Sequence, residues 1–338
     1  MNYQIAKKAK HLYVIGNGFD LHHDINSSYA NFRHWLQEND WDTLEQIEEI
    51  YGECDNDWWA DFENQLGSLD VIQYSTIIAS QNRPDLSSDH CDRTWNDAQV
   101  AVEQKLEGAY SNLRECFHKW VKQLREPKKS RMIDFNDTAI YLNFNYTKTL
   151  ENLYKITPDY ILYIHGCVDE NKFILGHGKS YEDFKSQEAF SDLEFHEQLA
   201  LEAAIAGVAT QAKPVENLIN TNRIFFDSLQ NIQCIHVYGL SLSNVDLPYI
   251  DLIAEKTPDA LWEFSDYQNN LGVKETLSEF LEFTNSFIIG LKDYSINYFE
   301  LTIDEIKENK LILSRAYINE YNGKLVVSYT NNDIFTVD

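Results

Sequence analysis

No stretch of this chain approaches the run of about 20 apolar residues that a membrane-crossing helix needs, so a bilayer-spanning protein is not expected. The opening residues, Met1-Asn2-Tyr3-Gln4-Ile5-Ala6-Lys7-Lys8, lack the apolar core of a secretory signal, which points to the cytoplasm. Cysteine is sparse: five residues, at 54, 91, 116, 167 and 234, with no Cys-x-x-Cys pair. An odd, scattered set suits a reducing compartment, and neither a disulfide framework nor a zinc ribbon is expected. Basic residues are also scarce. Lys and Arg total 28 against 54 Asp and Glu, a formal charge of −26. Such a surface repels polyphosphate backbones at long range, so nucleic acid is not an expected partner. The one dense basic patch, Lys128-Lys129-Ser130-Arg131, reads as a solvated loop after a helix.

What is present is core-forming material. Hydrophobic residues make up 43% and aromatics 13% of 338 residues, enough for one large folded domain or two modest ones. The chain is organised around Leu12-Tyr13-Val14-Ile15-Gly16-Asn17-Gly18-Phe19-Asp20, an apolar run that ends in two glycines and a helix start. A buried parallel strand delivering a backbone loop to a phosphate reads this way. A dinucleotide fingerprint would place a third glycine at 21, where this chain has Leu21.

Downstream, Asn26-Ser27-Ser28 offers helix caps before Phe32, Trp35 and Leu36. Val102, Leu106, Tyr110, Leu113, Phe117, Trp120 and Leu124 recur at three- and four-residue steps, predicting an amphipathic helix over 95–124 that ends before Pro127. Strands are predicted at 139–144, 160–164, 173–175, 235–239 and 261–264, alternating with helices that include a long section over 182–229. That alternation predicts an α/β, Rossmann-like fold: a mainly parallel sheet with helices on both faces, a helical insertion at about 37–130 and a C-terminal β-meander. The α/β domain is expected over 1–270 and a helix plus meander over 271–338. In the meander, 312–314, 316–318, 325–329 and 334–336 alternate in strand fashion, with a hairpin at Asn322-Gly323.

In a parallel sheet the carboxyl ends of the strands share one edge, where ligands bind. Four strand exits carry polar residues, and they bring Asn17, Asp20, Asn145, His165, Ser241 and Asp246 toward one cleft. Each has a plainer use: Asn145 as a turn former, His165 as a partner of local backbone, Asp246 as a helix cap. Three other patterns are set aside. Gly178-Lys179-Ser180 lacks the first glycine of a P-loop, which would fall at Phe173. Gly239-Leu240-Ser241-Leu242-Ser243 lacks the closing glycine of a nucleophile elbow. His22-His23-Asp24 reads as surface, since neighbouring side chains point apart and no His-x-x-x-His partner exists.

Taken together, Ile15-Gly16-Asn17-Gly18-Phe19-Asp20-Leu21, Ser28-Tyr29, Phe32, Trp59-x-x-x-Glu63, Asn143-Phe144-Asn145-Tyr146-Thr147, Ile164-His165-Gly166 and Tyr238-Gly239-x-Ser241-Leu242 resemble the ordered blocks of the AbiH-type bacteriophage abortive-infection proteins. The same blocks more distantly resemble sirtuin-like NAD-binding domains of bacterial defence proteins. That resemblance implies a catalytic role for His165 and a substrate-orienting one for Asn145; Asp20, in a stretch that departs from the sirtuin Gly-Ala-Gly-x-Ser, is the third expected catalytic residue, stabilising the developing positive charge. The resemblance also implies that Gly16 and Gly18 lie under the pyrophosphate and Ser241 at the adenosine side; Asn17, Phe19, Asn143, Thr147, Gly239 and Asp246, from the same strand exits, are the further expected nucleotide contacts. Thr147 stands where the likeness would have Asp, and no zinc-binding cysteine module is present, so a protein deacylase is not implied.

The expected activity is cleavage of the nicotinamide–ribose bond of NAD or a related nucleotide, with no metal. A nucleotide-binding sensor working with a partner protein, and a nuclease, are the alternatives. A defence-system partner or a second copy of the chain is the expected protein contact.

Overall fold

The computed structural model describes residues 1–84, 94–124, 127, 131, 133–169, 173–185, 193–241, 243–258 and 260–265, with strands at 288–292, 317–321 and 324–330. The chain divides into two compact units. The first comprises Met1–Ser27, Leu124–Lys172 and Val215–Asp338; the second comprises Ser28–Gln123 and Phe173–Pro214.

The first unit is built on strands β1 (His11–Ile15), β2 (Ala139–Asn143), β3 (Ile161–Tyr163), β4 (Cys234–Tyr238), β5 (Leu261–Ser265), β6 (Ile288–Lys292), β7 (Tyr317–Tyr321) and β8 (Lys324–Thr330). They form one sheet in the order β3-β2-β1-β4-β5-β6-β8-β7. Every pair is parallel until β8, which meets β7 antiparallel. The run β3-β2-β1-β4-β5-β6 is the strand order of doubly wound dinucleotide-binding sheets, whose switch point lies between β1 and β4. The expected α/β, mainly parallel architecture is therefore the observed one. The C-terminal strands extend this same sheet, since β8 pairs with β6. Tyr321 pairs with Lys324, a two-residue hairpin spacing. The expected turn residues Asn322-Gly323, the expected strands 312–314 and 334–336, and Lys128–Ser130 of the basic patch lie outside the described residues.

Strand alternation sorts the core onto two faces. Leu12, Val14, Ile140, Leu142, Ile235 and Val237 pack with Phe225, Phe226, Tyr249, Ile250 and Ile253 on one face. Tyr13, Ile15, Tyr141 and Tyr238 pack with Phe19, Ile133, Leu150 and Tyr154 on the other. Burial on both faces is what makes these strands near-continuous apolar runs in the sequence.

In the second unit the helix Asp97–Gln123 buries Val102, Leu106, Tyr110, Leu113, Phe117 and Trp120, as their spacing predicts. Ser28 caps the helix Tyr29–Asn39 by accepting from the Asn31 amide. Helix Phe195–Ala209 packs on Asp97–Gln123, with Gly207 against Leu106. Two sequence expectations need correction. The section 182–229 is divided into helices at Tyr181–Lys185, Phe195–Ala209, Val215–Thr221 and Arg223–Asp227. Pro214, which removes a backbone donor, separates the second from the third. Residues 173–175 are not a strand. That chain instead pairs at His177, whose amide donates to the Gln211 carbonyl and whose carbonyl accepts from the Lys213 amide.

Candidate functional site at the switch point

Beyond the carboxyl ends of β1 and β4 two backbones touch. Gly16 opens the helix Asn17–His22, and its amide donates to the Tyr238 carbonyl at 2.9 Å. The Gly18 amide donates to the Gly239 carbonyl at 2.8 Å, and the Phe19 amide to the Gly16 carbonyl at 3.0 Å. A Cβ at Gly16 would lie 2.5 Å from Leu240 Cα, and one at Gly18 would lie 2.7 Å from Gly239 Cα. Gly239 has φ +68°, and a Cβ there would lie 2.1 Å from the Phe19 nitrogen. All three glycines are thus required by contact between two strand-exit loops, a reason distinct from the phosphate approach inferred from sequence.

A second set of bonds joins β1 to β2. The Asp20 carboxylate, 1% exposed, accepts from Thr147 Oγ1 at 2.5 Å and from Thr149 Oγ1 at 2.7 Å. The Asn145 side chain is a third donor to it. Burial pushes the Asp20 pKa up to about 6 from 3.8, opposed by the hydrogen bonds from Thr147, Thr149 and Asn145. Asn145 also donates Nδ2 to the Gly16 carbonyl at 2.9 Å, and its own amide donates to Asn143 Oδ1 at 3.0 Å. Asp20, Asn143, Asn145, Thr147 and Gly16 therefore form one buried polar network. Thr149, which no sequence motif singles out, belongs to it too.

The other expected residues are distributed around this network. Asn17 is held from both ends of its amide by Ser27, donating to the Ser27 carbonyl at 3.0 Å and accepting from its hydroxyl at 2.6 Å. Phe19 is core. His165, beyond β3, is 2% exposed; its Nε2 lies 3.5 Å from the Tyr249 hydroxyl and its ring meets Phe144 edge-on. Tyr249 lies on the sheet face opposite Phe19, in a helix where nothing in its spacing singled it out. Ser241 is exposed. Asp246 stands at the N-cap position of the helix Leu247–Lys256 but makes no side-chain cap bond; its Oδ2 accepts from Ser243 Oγ at 3.4 Å.

The sequence profile of a family described as bacteriophage abortive infection AbiH matches residues 12–266. The chain belongs to the AbiH family. The match starts inside β1 and ends one residue past β5, so it covers all four polar strand exits and leaves β6, β7 and β8 beyond it. No curated protein and no solved structure matches the chain. Membership of AbiH carries a role in defence against phage by abortive infection. Among the described residues no helix is long and apolar enough to cross a membrane.

One motif within the AbiH span is placed differently from its sequence reading. His23, expected at the surface, is fully buried: Nδ1 lies 2.7 Å from the Phe19 carbonyl and Nε2 lies 2.7 Å from the Tyr154 hydroxyl. The short helix turns it under the sheet, where a buried imidazole uses both nitrogens. His22 is buried as well. Glu63, of the Trp59-x-x-x-Glu63 pair, lies in the second unit just after the helix Asn56–Ala60 ends at Asp61. There its Oε2 holds Lys213 Nζ at 2.9 Å, with the lysine side chain 1% exposed.

Proposed function

We propose that this AbiH chain acts in abortive infection by binding NAD or a related nucleotide at the β1/β4 switch point and hydrolysing its nicotinamide–ribose bond. The observation that carries the reading is the strand order, which puts the exits of β1, β2, β3 and β4 on the edge where doubly wound sheets hold nucleotides. The choice of NAD rests on the distant sequence resemblance of the Asn143–Thr147, Ile164–Gly166 and Tyr238–Leu242 blocks to sirtuin-like domains.

Nicotinamide leaves as a neutral group from a cationic ring, so its departure needs little acid catalysis. The ribose passes through an oxocarbenium-like state. Orientation of the ribose and a base for water are the useful contributions. Asn145 supplies hydrogen bonds from a turn held by Asp20, and His165 supplies an imidazole whose ordinary pKa is near neutral. Asp20 acts on the reaction through Asn145 and through its own charge, which is present above about pH 6. The test is nicotinamide release from NAD by the purified chain, alone and with a lysate of phage-infected cells. The expected result is turnover in wild type and at least a 100-fold loss in His165→Ala and in Asn145→Ala. Equal release by wild type and both variants rejects the proposal.

A second reading is favoured by the burial of His165 and Asp20 at 2% and 1% exposure: the crevice binds a nucleotide without cleaving it and signals to a partner. Recovery of intact nucleotide from the purified protein by mass spectrometry, with no nicotinamide formed, selects this reading over hydrolysis.

A further inference from the structure

At the opposite, amino-terminal end of the central strands, three metal-ligating side chains meet. β1 and β4 pair in parallel with His11 opposite Cys234 and Tyr13 opposite His236. Register partners in a parallel pair share a face, and residues two apart on one strand do as well. His11, Cys234 and His236 therefore project from one face of the sheet, and their ligand atoms all lie within 4.8 Å of one another. His11 Nδ1 lies 3.0 Å from His236 Nε2.

We propose that His11, Cys234 and His236 form a binding site for a divalent zinc ion, with a fourth position left for water. Two imidazoles and a thiolate are the donors zinc takes, and a site of three protein ligands keeps one position open. Two nitrogens on a tetrahedral zinc, at about 2.0–2.1 Å each, lie roughly 3.3 Å apart. The observed 3.0 Å needs to open by only about 0.3 Å, within the reach of side-chain torsion.

The surroundings meet the remaining requirements of a metal site. His236 is 1% exposed and its ring stacks on Tyr13 at 4.2 Å, which fixes its orientation as second-sphere contacts do in metal centres. His11 is half-buried, so an ion reaches the site from the strand ends. Binding forms one Zn–S and two Zn–N bonds and releases the Cys234 thiol proton to water. Because the site joins β1 to β4 at the end away from Gly16 and Gly239, bound zinc would brace the two strands that carry the switch point. It is independent of the proposed nucleotide hydrolysis and survives that reading's failure.

The experiment is titration of the purified, metal-stripped full chain with Co²⁺ as the spectroscopic stand-in, followed by displacement with Zn²⁺. The expected result is one Co²⁺ per chain with a thiolate-to-cobalt charge-transfer band and tetrahedral ligand-field bands that zinc abolishes. Cys234→Ser, nearly isosteric, removes the charge-transfer band, and His11→Gln, at the half-buried position, weakens binding at least 10-fold. Zinc also raises the thermal midpoint of wild type and not that of His11→Gln. Circular dichroism of both variants confirms that they fold. A wild type without the charge-transfer band overturns the proposal and leaves the pair as a histidine–histidine hydrogen bond. A band unchanged in Cys234→Ser overturns it too, by placing the ion at another cysteine.

Discussion

Thr149 donates its hydroxyl to the fully buried carboxylate of Asp20 at 2.7 Å, across 129 residues of chain. With Thr147 and Asn145 it makes Asp20 the clasp between the first strand exit and the second. Removing that acceptor takes a hydrogen-bond partner from Thr147, Thr149 and Asn145 at once, and Thr149 and Asn145 are buried. Asp20→Ala is expected to cost about 3 kcal/mol or more of unfolding free energy. Asp20→Asn, which keeps one acceptor oxygen, costs less. Urea denaturation of the two variants measures the difference, and an alanine variant within about 0.5 kcal/mol of wild type would remove the clasp from the account.

The same carboxylate gives stability a pH dependence. Its folded pKa of about 6 exceeds the ordinary 3.8, so the folded state binds a proton that the unfolded state has lost between those values. Stability from this group is complete below about pH 4 and is lost as pH rises through about 6. The shift corresponds to roughly 3 kcal/mol. The stability of wild type relative to Asp20→Asn is expected to fall by an amount of that order between about pH 4 and pH 7. A difference that stays flat across the window refutes the assignment.

Gly239 and Gly52 both have positive φ, at +68° and +84°, but their surroundings differ. A Cβ at Gly52 meets nothing within 4 Å, whereas one at Gly239 meets the Phe19 nitrogen at 2.1 Å. Gly52, with ψ −160°, lies in a region open essentially to glycine alone, and Gly52→Ala is expected to cost about 1–3 kcal/mol, the conformational penalty alone. Gly239→Ala should exceed that by at least about 2 kcal/mol, because backbone on both sides must move. Thermal unfolding of the pair decides it: equal losses would mean that the two exit loops do not touch as described.

Buried Lys213 and half-buried Glu63 make an ion pair in the second unit. Glu63→Ala leaves a buried ammonium short of its counter-charge, at a cost of about 3–5 kcal/mol. Lys213→Met fills the space with an apolar chain, and the double variant should be more stable than the sum of single losses predicts. A double-mutant cycle with coupling below about 0.5 kcal/mol would show that the pair carries no weight.

Local chemistry made much of this molecule legible before its structure. Tyr13 and Leu142 lie in runs whose length and flanking polar turns state a buried strand, and Phe117 and Trp120 fall on a helical period. His23 was misread because its neighbours are polar and the turn that buries it is short. Residues 173–175 were misread because a three-residue apolar run carries too little pattern to separate a strand from irregular chain.

The AbiH blocks, the strand exits and the glycines at 16, 18 and 239 were determined by the sequence itself, since each is a short run with its own conformational logic. Their partners were not. That Gly18 meets Gly239, that Asp20 serves Thr149, and that His11 faces Cys234 and His236 were decided by the register of parallel strands. Parallel strands are joined by long crossovers, so the residues they place side by side lie far apart in the chain and share no local pattern.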